Sequence, residues 1–274
     1  MTDRPGPPAT PDPAAAAWAE LRRLTAARIG LARSGASLAT GPLLDFRLAH
    51  ARARDAVHDW LDAAKLADEA AVLGLPVLVV DSAAGDRRTY LMRPDLGRRL
   101  AAPGAATLVA HAGDYDLVIV LADGLSARAV QAHAVPVLVA ALPALRADGW
   151  RIAPLVIVGR GRVAIGDAVA TALGAGAVAV LIGERPGLSA PDSLGAYLTW
   201  RPRLDSTDAD RNCISNIRPQ GIGYADAAFK LTFLLREFRI HGRSGVNLKD
   251  NSERGALIAE QRSHIPEQSA TRQL

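Results

Sequence analysis

The sequence of 274 residues lacks several features that define whole classes of protein. Its single cysteine excludes an internal disulfide framework and suits a reducing compartment such as the cytosol. Aromatic residues make up only 4% of the chain, so its core must be built from aliphatic side chains. No apolar stretch follows a basic start as in a secretory signal, and no uncharged apolar run reaches the ~18 residues of a membrane span.

The charge of the chain is weakly basic and evenly spread. The formal net charge is +4, but arginine alternates with acidic residues throughout, and no basic block is interleaved with aromatic side chains. A surface that follows a phosphate backbone needs such a block, so the composition does not favour nucleic-acid binding. Hydrophobic residues make up 49%, and the length suffices for one large domain or two smaller ones with a sizeable core.

The first quarter of the chain predicts helices that follow a polar segment. Residues 1–13 are rich in proline and predict disorder. Residues 14–74 predict a small helical domain, with one helix ending near Gly35, a second over residues 43–61 and a third over 63–74. Apolar residues of the first helix recur at steps of three and four, which is typical of a packed helix and also compatible with a docking helix.

The second predicted helix places His50, Arg54 and His58 four residues apart, on one face. Two histidines separated by an arginine make a poor metal site, because the central cation would repel the ion. We therefore expect a solvated charged face, or a charged face that meets a partner subunit, rather than a metal centre.

From residue 75 onwards, short apolar runs alternate with helical segments. The runs predict strands at residues 76–80, 107–110, 117–122, 155–158 and 177–182. The alternation predicts an α/β fold, a Rossmann-like parallel sheet with helices on both faces, over residues 75–250. A helix over residues 223–241 and a strand or turn over 244–248 precede a polar tail, residues 251–274, that predicts disorder.

Three predicted strands run directly into loops that contain glycine. These loops are Asp123-Gly124, Gly159-Arg160-Gly161 and Gly183-Glu184. Because the carboxyl ends of parallel strands meet at one edge of the sheet, the sequence predicts a ligand crevice there. The glycines at 159 and 161 lack a third glycine at the right spacing, so a nucleotide-binding Rossmann-like enzyme is the weaker interpretation.

The strongest chemical signals lie in residues 177–219. Glu184 follows a predicted strand, and the residues alone leave open an acceptor for ligand amides or a salt bridge to Arg185 or another arginine. The only cysteine, Cys213, lies in a mixed polar run that makes a poor core segment and predicts a loop contacting a ligand or another chain. Nothing near Cys213 in the sequence suggests the base that a nucleophile would need.

Several segments resemble, in the same order, the small subunit of ethanolamine ammonia-lyase, an enzyme that depends on adenosylcobalamin. The resemblance covers roughly residues 18–250, and so many separate motifs in one order argue against a chance match. The motifs are LTAARI at 24–29, LLDF at 43–46, LAHARARDAVH at 48–58, GERPGL at 183–188, DSLGAY at 192–197 and RNCISNIRP at 211–219.

The resemblance implies an adenosylcobalamin site that this chain shares with a large subunit. It matches Val163, Glu184 and Cys213 to cobalamin contacts and gives this chain no catalytic residue, because the family's substrate site lies in the large subunit. The family reaction is the radical conversion of ethanolamine to acetaldehyde and ammonia. The Asp-x-His-x-x-Gly motif, whose histidine replaces the lower cobalt ligand, is absent, so cobalt is expected to keep its benzimidazole.

The resemblance also implies a hetero-oligomer in the cytoplasm, within a bacterial microcompartment, with the N-terminal segment implicated in that assembly. Arg160 and Arg162 are candidates to neutralise the phosphate of the cobalamin tail. The other alternative is a non-catalytic assembly subunit, in which the loops after residue 183 form only an interface. Neither a nucleic acid nor a membrane is an expected partner.

Overall fold

The computed structural model describes residues 13–252, so the predicted disordered segments lie almost entirely outside the described residues. The strands are β1 (Arg33–Ser34), β2 (Ser37–Leu38), β3 (Val77–Asp81), β4 (Tyr115–Ala122), β5 (Leu155–Gly159), β6 (Ala175–Gly183), β7 (Leu194–Trp200) and β8 (Arg211–Ile217). The α-helices are α1 (Pro13–Arg23), α2 (Thr40–His58), α3 (Ala63–Ala70), α4 (Arg87–Met92), α5 (Ala102–Ala110), α6 (Ala127–Ala147), α7 (Ile165–Leu173) and α8 (Tyr224–His241).

Six strands form one mixed sheet in the order β3-β5-β4-β6-β7-β8. The first four of these are parallel to one another, whereas β7 and β8 run antiparallel to their neighbours. The predicted α/β fold with a largely parallel sheet is therefore confirmed. The antiparallel third of the sheet is a feature that the apolar runs did not predict.

Both faces of the sheet are covered by helices, which explains the continuous apolar runs in the parallel strands. In β4, alternate residues such as Leu117 and Ile119 share one core with buried residues of α6 and α8. Their neighbours Val118 and Val120 share a second core with buried residues of α5 and α7. All four of these side chains are at most 1% exposed, as expected for a strand buried on both sides.

The connections between the parallel strands place a crevice at one edge of the sheet. Helix α6, after β4, packs on one face, while α7, after the neighbouring strand β5, packs on the other. Adjacent strands whose connections leave to opposite faces open a crevice beyond their carboxyl ends. The loops after β4 and β5 therefore flank the predicted ligand edge.

Two local predictions were wrong. The predicted strand at residues 107–110 is the end of α5, where Pro103 in the first turn suits the helical backbone and Leu108 is fully buried. The first helix ends at Arg23 rather than near Gly35, because Gly35 adopts a φ of 61° in the turn between β1 and β2. A short hairpin thus separates α1 from α2.

The predicted loop around Cys213 is also wrong, since this run forms the edge strand β8. Its polar residues are tolerated because an edge strand leaves many side chains in contact with solvent. Only Arg211, Ile214 and Ile217 of β8 are buried. The backbone polar groups on one side pair with β7, with a register irregularity between Leu194 and Ala196.

The helices before residue 75 differ in how they are packed. Leu66, Ala70 and Leu73, in and just after α3, belong to the core on the α6 face of the sheet. Large apolar side chains on α1 and α2 are instead exposed, including Trp18 at 42% and Leu44 at 57%. The expectation that α1 packs its apolar face against the rest of the chain is therefore not confirmed. A separate helical domain over residues 14–74 stays a prediction.

Helix α6 is the one helix in the described part of the chain that is long and apolar enough to cross a membrane. Half of its most apolar window is buried inside the protein. Val130, Val137 and Leu138 are fully buried in the core that α6 forms with the sheet and α8. This is the environment of a core helix.

Candidate functional site

A cavity of about 440 Å³ opens at the carboxyl ends of β4 and β6. Its lining includes Val163 and Glu184, two of the three residues singled out in the sequence. The complete lining consists of Tyr90, Gly124, Leu125, Arg162, Val163, Ile182, Gly183, Glu184, Arg185, Tyr197 and Ser215. Strand β8 contributes Ser215 to this wall. Contact of the polar run with a ligand or another chain stays a prediction.

Glu184 is held by hydroxyl groups and a backbone amide. The hydroxyls of Ser193 and Ser215 each donate to one carboxylate oxygen at 2.5 Å, and the backbone N–H of Asn216 donates at 3.1 Å. No described arginine forms a salt bridge with it, so the salt-bridge alternative is wrong. A carboxylate can accept further hydrogen bonds beyond these three, so Glu184 is a fixed acceptor at the cavity wall.

Cys213 is an exposed residue on the edge strand β8, next to the cavity but outside its lining. It is directly opposite Tyr197 across β7 and β8, and Tyr197 lines the cavity. Burial raises the pKa of the Cys213 thiol; contact with Tyr197 lowers it, and the negative charge of Glu184 raises it again. The thiol is therefore protonated at neutral pH, which fits a packing or contact role and not nucleophilic attack.

Val163 lies in the turn that leads from β5 into α7. The N–H of Arg162 donates to the carbonyl of Gly97 at 2.8 Å, and the N–H of Gly166 donates to the carbonyl of Val163 at 3.1 Å. The Arg162 guanidinium stacks on the Tyr90 ring with its central carbon 4.2 Å from the ring centroid. This turn is thus tied to α4 and to the segment before α5.

Arg160 and Arg162, both candidates for a phosphate contact, are in different environments. Arg160 is engaged away from the cavity, where it forms a 2.5 Å ion pair with Asp81 and donates to the carbonyl of Ala84. Arg162 lines both the main cavity and a neighbouring one of about 380 Å³, and its Nε is buried without a partner among the described residues. Of these two arginines, only Arg162 lines the main cavity, and its Nη2 donates to the carbonyl of Tyr90 at 3.1 Å.

Two glycines in the lining, which we call the cavity floor, lie where the loops after β4 and β6 meet. Gly124 adopts a φ of 56°, and an added Cβ would overlap the carbonyl oxygen of Gly183. An added Cβ at Gly183 would in turn overlap the carbonyl oxygen of Ser126. The loops after β4 and β6 approach this closely only because neither position carries a side chain.

Asp123 and Arg87 join the two loops of the crevice, and no sequence pattern predicted their pairing. Arg87 Nη1 lies 3.3 Å from the Asp123 carboxylate and donates to the carbonyl of Gly124 at 2.8 Å. The other Asp123 oxygen accepts from the N–H of Gly161 at 3.0 Å. Burial raises the pKa of Asp123 to about 6, while Arg87 and the backbone N–H groups of Arg160 and Gly161 act in the opposite direction.

Titration of Asp123 should make the protein less stable as the pH rises from about 4 to about 6. In this window the carboxyl ionises in the unfolded chain, with its usual pKa of 3.8, but stays protonated in the folded protein. One pKa unit corresponds to about 1.4 kcal/mol, so the contribution of Asp123 to the free energy of unfolding falls by up to about 3 kcal/mol across this window.

Urea unfolding of the wild type and Asp123→Asn at several pH values from 4 to 7 measures this effect. The free-energy difference between the two proteins should change across the window, because asparagine does not titrate. A difference that stays constant with pH would contradict the raised pKa. Aspartates whose pKa is lowered, such as Asp116, act in the opposite direction in both proteins and cancel in the comparison.

Comparison with known proteins identifies the family. A family model described as ethanolamine ammonia-lyase light chain (EutC) matches residues 15–249. The chain belongs to this family.

Its similarity to curated ethanolamine ammonia-lyase small subunits is high over nearly the whole length. Identity is 54% with the protein of Azotobacter vinelandii, over 92% of this chain and 93% of the relative. It is 52% with that of Ralstonia nicotianae, over 90% and 93%, and 54% with that of Pseudomonas putida, over 89% and 91%. The family resemblance predicted from the sequence motifs is thus confirmed.

Several members of this small-subunit site were not found from the sequence. Tyr197, Ser215 and the backbone of Asn216 reach the cavity or Glu184 only because β7 and β8 add to the sheet edge. The alternating run over residues 194–200 is a strand signal that could have predicted β7. Within the described residues, no group of three or more His, Cys, Asp or Glu side chains could hold a metal ion.

Proposed function

We propose that this small subunit binds adenosylcobalamin together with the large subunit of ethanolamine ammonia-lyase, which converts ethanolamine to acetaldehyde and ammonia. The observation that carries the proposal is the convergence of Val163 and Glu184 on one cavity, with Cys213 on the edge strand directly opposite Tyr197 of the cavity wall. These residues are separated by up to 50 positions in the sequence, and a common site is the simplest reason for their convergence.

The chemistry of the cavity suits the rim of a corrin, which carries amide side chains. Glu184 offers an anchored carboxylate to amide N–H groups. Gly124 and Gly183 let the loops after β4 and β6 approach each other closely beside Glu184, which sets the shape of the cavity there. Val163 can contribute packing and backbone groups, and the Arg162 guanidinium brings a positive charge to the cavity for an anionic group such as the tail phosphate.

The size of the cavity supports a site that two subunits share. Pockets for drug-sized ligands measure roughly 300–1,000 Å³, and adenosylcobalamin is larger than such ligands. A cavity of about 440 Å³ can therefore hold only part of it. The exposed apolar faces of α1 and α2 offer additional area for the large subunit, in which we place the substrate site.

The role of this chain in the reaction is binding and orientation. Adenosylcobalamin supplies radical chemistry by homolysis of its cobalt–carbon bond, and this chain contributes no catalytic residue. Glu184 orients amide groups, and Tyr197 gives the wall an uncharged ring and hydroxyl, since burial raises its pKa further above neutral. We place the complex in the cytoplasm, within a bacterial microcompartment where the host forms one.

Reconstitution with a matching large subunit tests the function. The chain, the large subunit, adenosylcobalamin and ethanolamine are combined, and acetaldehyde release is followed, with each subunit alone as a control. Activity should require both chains. A well-formed pair that remains inactive with intact cofactor would contradict the proposal and favour the nucleotide-binding or assembly alternatives.

Replacing Glu184 with alanine should weaken adenosylcobalamin binding by the assembled complex about tenfold or more. Loss of a hydrogen bond to a charged group costs about 1.5–3 kcal/mol, and 1.4 kcal/mol corresponds to tenfold in Kd. Absorbance titration of the complex with the cofactor measures the change. Glu184→Gln keeps one acceptor oxygen and should show a smaller loss.

Glu237→Gln is the matched control, since Glu237 lies on α8 outside the cavity lining. It should bind the cofactor like the wild type. Unchanged affinity in Glu184→Ala, combined with failed assembly, would remove Glu184 from the cofactor site and make residues 183–193 an interface only.

A further inference from the structure

A second polar pocket of about 250 Å³ lies at the opposite end of β6 and β7 from the proposed cobalamin site. Trp200, at the end of β7, lines this pocket and pairs with Ala177, whereas Leu194 at the other end pairs with Gly183 beside Glu184. The six steps along β6 from 177 to 183 correspond to about 20 Å. The two cavities are therefore separate.

Arginine dominates the charge of this pocket. Arg201, Arg203 and Arg243 all line it, and Asp210 is the only carboxylate in the lining. We call it the arginine pocket. Arg203 is paired with Asp205 at 3.0 Å, but Arg201 and Arg243 form no ion pair with any described residue. Two guanidinium groups are thus left without a counter-charge.

The one carboxylate in the arginine pocket is already used in local structure. Asp210 Oδ2 accepts from the backbone N–H of Thr207 at 2.8 Å and from its hydroxyl at 3.0 Å, which caps a short helical turn. These hydrogen bonds lower the pKa of Asp210, so it stays ionised but faces the capping donors. Because Arg203 is already paired with Asp205, Asp210 can offset only one of the two remaining positive charges in the arginine pocket.

The frame around the two unpaired arginines is fixed by backbone contacts. Arg201 adopts a φ of 46°, uncommon for a residue with a side chain, and its N–H donates to the carbonyl of Gly176 at 2.8 Å. Before Gly245, the Ser244 hydroxyl accepts from the N–H of Trp200 at 3.0 Å and donates to the carbonyl of Asp210 at 2.6 Å. These contacts bring the segment carrying Arg243 against the end of β7.

We propose that the arginine pocket binds a small phosphate-bearing anion, either inorganic phosphate or a small phosphate monoester. Planar guanidinium groups match phosphate oxygens with paired hydrogen bonds. Arg201, whose guanidinium carbon lies 5.9 Å from the Trp200 ring centroid, and Arg243 have no carboxylate partner among the described residues. A volume of 250 Å³ is below the usual range for drug-sized ligands, which restricts the occupant to a small anion. The proposal does not depend on the cobalamin site.

Titration of the full chain with inorganic phosphate, and separately with glycerol 3-phosphate, tests the proposal. Isothermal titration calorimetry and tryptophan fluorescence both serve as readouts, because Trp200 lines the arginine pocket. Sodium chloride at matched ionic strength controls for screening. We expect saturable binding of at least one phosphate probe, and a tenfold or greater loss of affinity in both Arg201→Gln and Arg243→Gln.

Arg52→Gln is the matched control, because Arg52 is an exposed arginine on α2, outside the arginine pocket. It should bind phosphate like the wild type, and all variants should keep the wild-type circular dichroism spectrum. The proposal fails if sodium chloride reproduces the signal, if the pocket variants bind like the wild type, or if Arg52→Gln loses as much affinity. Binding of a polyglutamate peptide without binding of either phosphate probe would also overturn it, in favour of an acidic protein segment.

Discussion

Replacing Arg211 with methionine should lower the free energy of unfolding by about 3–5 kcal/mol, the usual cost of removing one partner from a buried ion pair. Arg211 on β8 is 7% exposed and Asp167 on α7 is 2% exposed. Two parallel hydrogen bonds of 2.6 and 2.7 Å join the two side chains. Burial already raises the pKa of Asp167, and Arg211 opposes this shift. Without the guanidinium, the carboxylate is left buried and unpaired.

Urea or thermal unfolding of the purified chain measures this effect. Replacing both partners, as in Arg211→Met with Asp167→Leu, should recover much of the loss, because two apolar groups leave no buried charge behind. Arg203→Met is the surface control, since Arg203 pairs with Asp205 where both side chains are more than 70% exposed, and it should show no measurable change. A single Arg211→Met variant as stable as the wild type would contradict the structural role of the pair.

The same variant should also weaken cofactor binding in the reconstituted enzyme. Asp167 lies in the first turn of α7, four residues after Val163 in the proposed site. The pair therefore connects the edge strand that carries Cys213 to the turn that carries Val163. Loss of stability with unchanged cofactor affinity would show that the two sides of the cavity are positioned independently.

Gly183→Ala should be the most disruptive substitution at the cavity floor, with a loss of about 3 kcal/mol at the upper end of overpacking effects. An added Cβ would overlap the Ser126 carbonyl oxygen and lie 2.7 Å from that of Asp123. Both are backbone atoms, so a side-chain rotation cannot relieve the clash. The carboxyl end of β6 must shift away from the start of α6, and Glu184 shifts with it.

Denaturant unfolding and cofactor titration of the assembled complex measure the two consequences. Gly41→Ala is the matched control, because Gly41 lies in the first turn of α2 and an added Cβ meets nothing within 4 Å. Alanine there should leave stability unchanged or raise it slightly, through its better helix propensity. If Gly183→Ala and Gly41→Ala had the same stability and the same cofactor affinity, the backbone around Gly183 could accommodate a side chain, and the prediction would be wrong.

Much of the fold was predicted from local pattern because the parallel strands carry a strong signal. The runs at 117–122 and 177–182 are apolar at every position, since helices cover both faces of these strands. The pattern failed at residues 107–110, where a short apolar run is compatible with either a helix or a strand. It also failed at β8, because an edge strand buries few of its side chains and so carries little hydrophobic periodicity.

The site was predicted only in part, and the reason is again physical. Glu184 was found because it follows a strong strand end, and Val163 and Cys213 were matched through family motifs rather than through chemistry. The link between Arg87 and Asp123 spans 36 positions and depends on how α4 packs against the loop after β4. No local pattern in the sequence encodes a contact of this kind.

The sequence by itself determined the family, the α/β class and the edge of the sheet where the main cavity opens. These follow from motifs and from apolar runs, which record burial residue by residue along the chain. Only the tertiary structure decided that Glu184 is held by Ser193, Ser215 and Asn216, and that unpaired arginines gather at the far end of β7. Such contacts join residues that are distant in sequence, and they exist only once the strands have paired and the helices have packed.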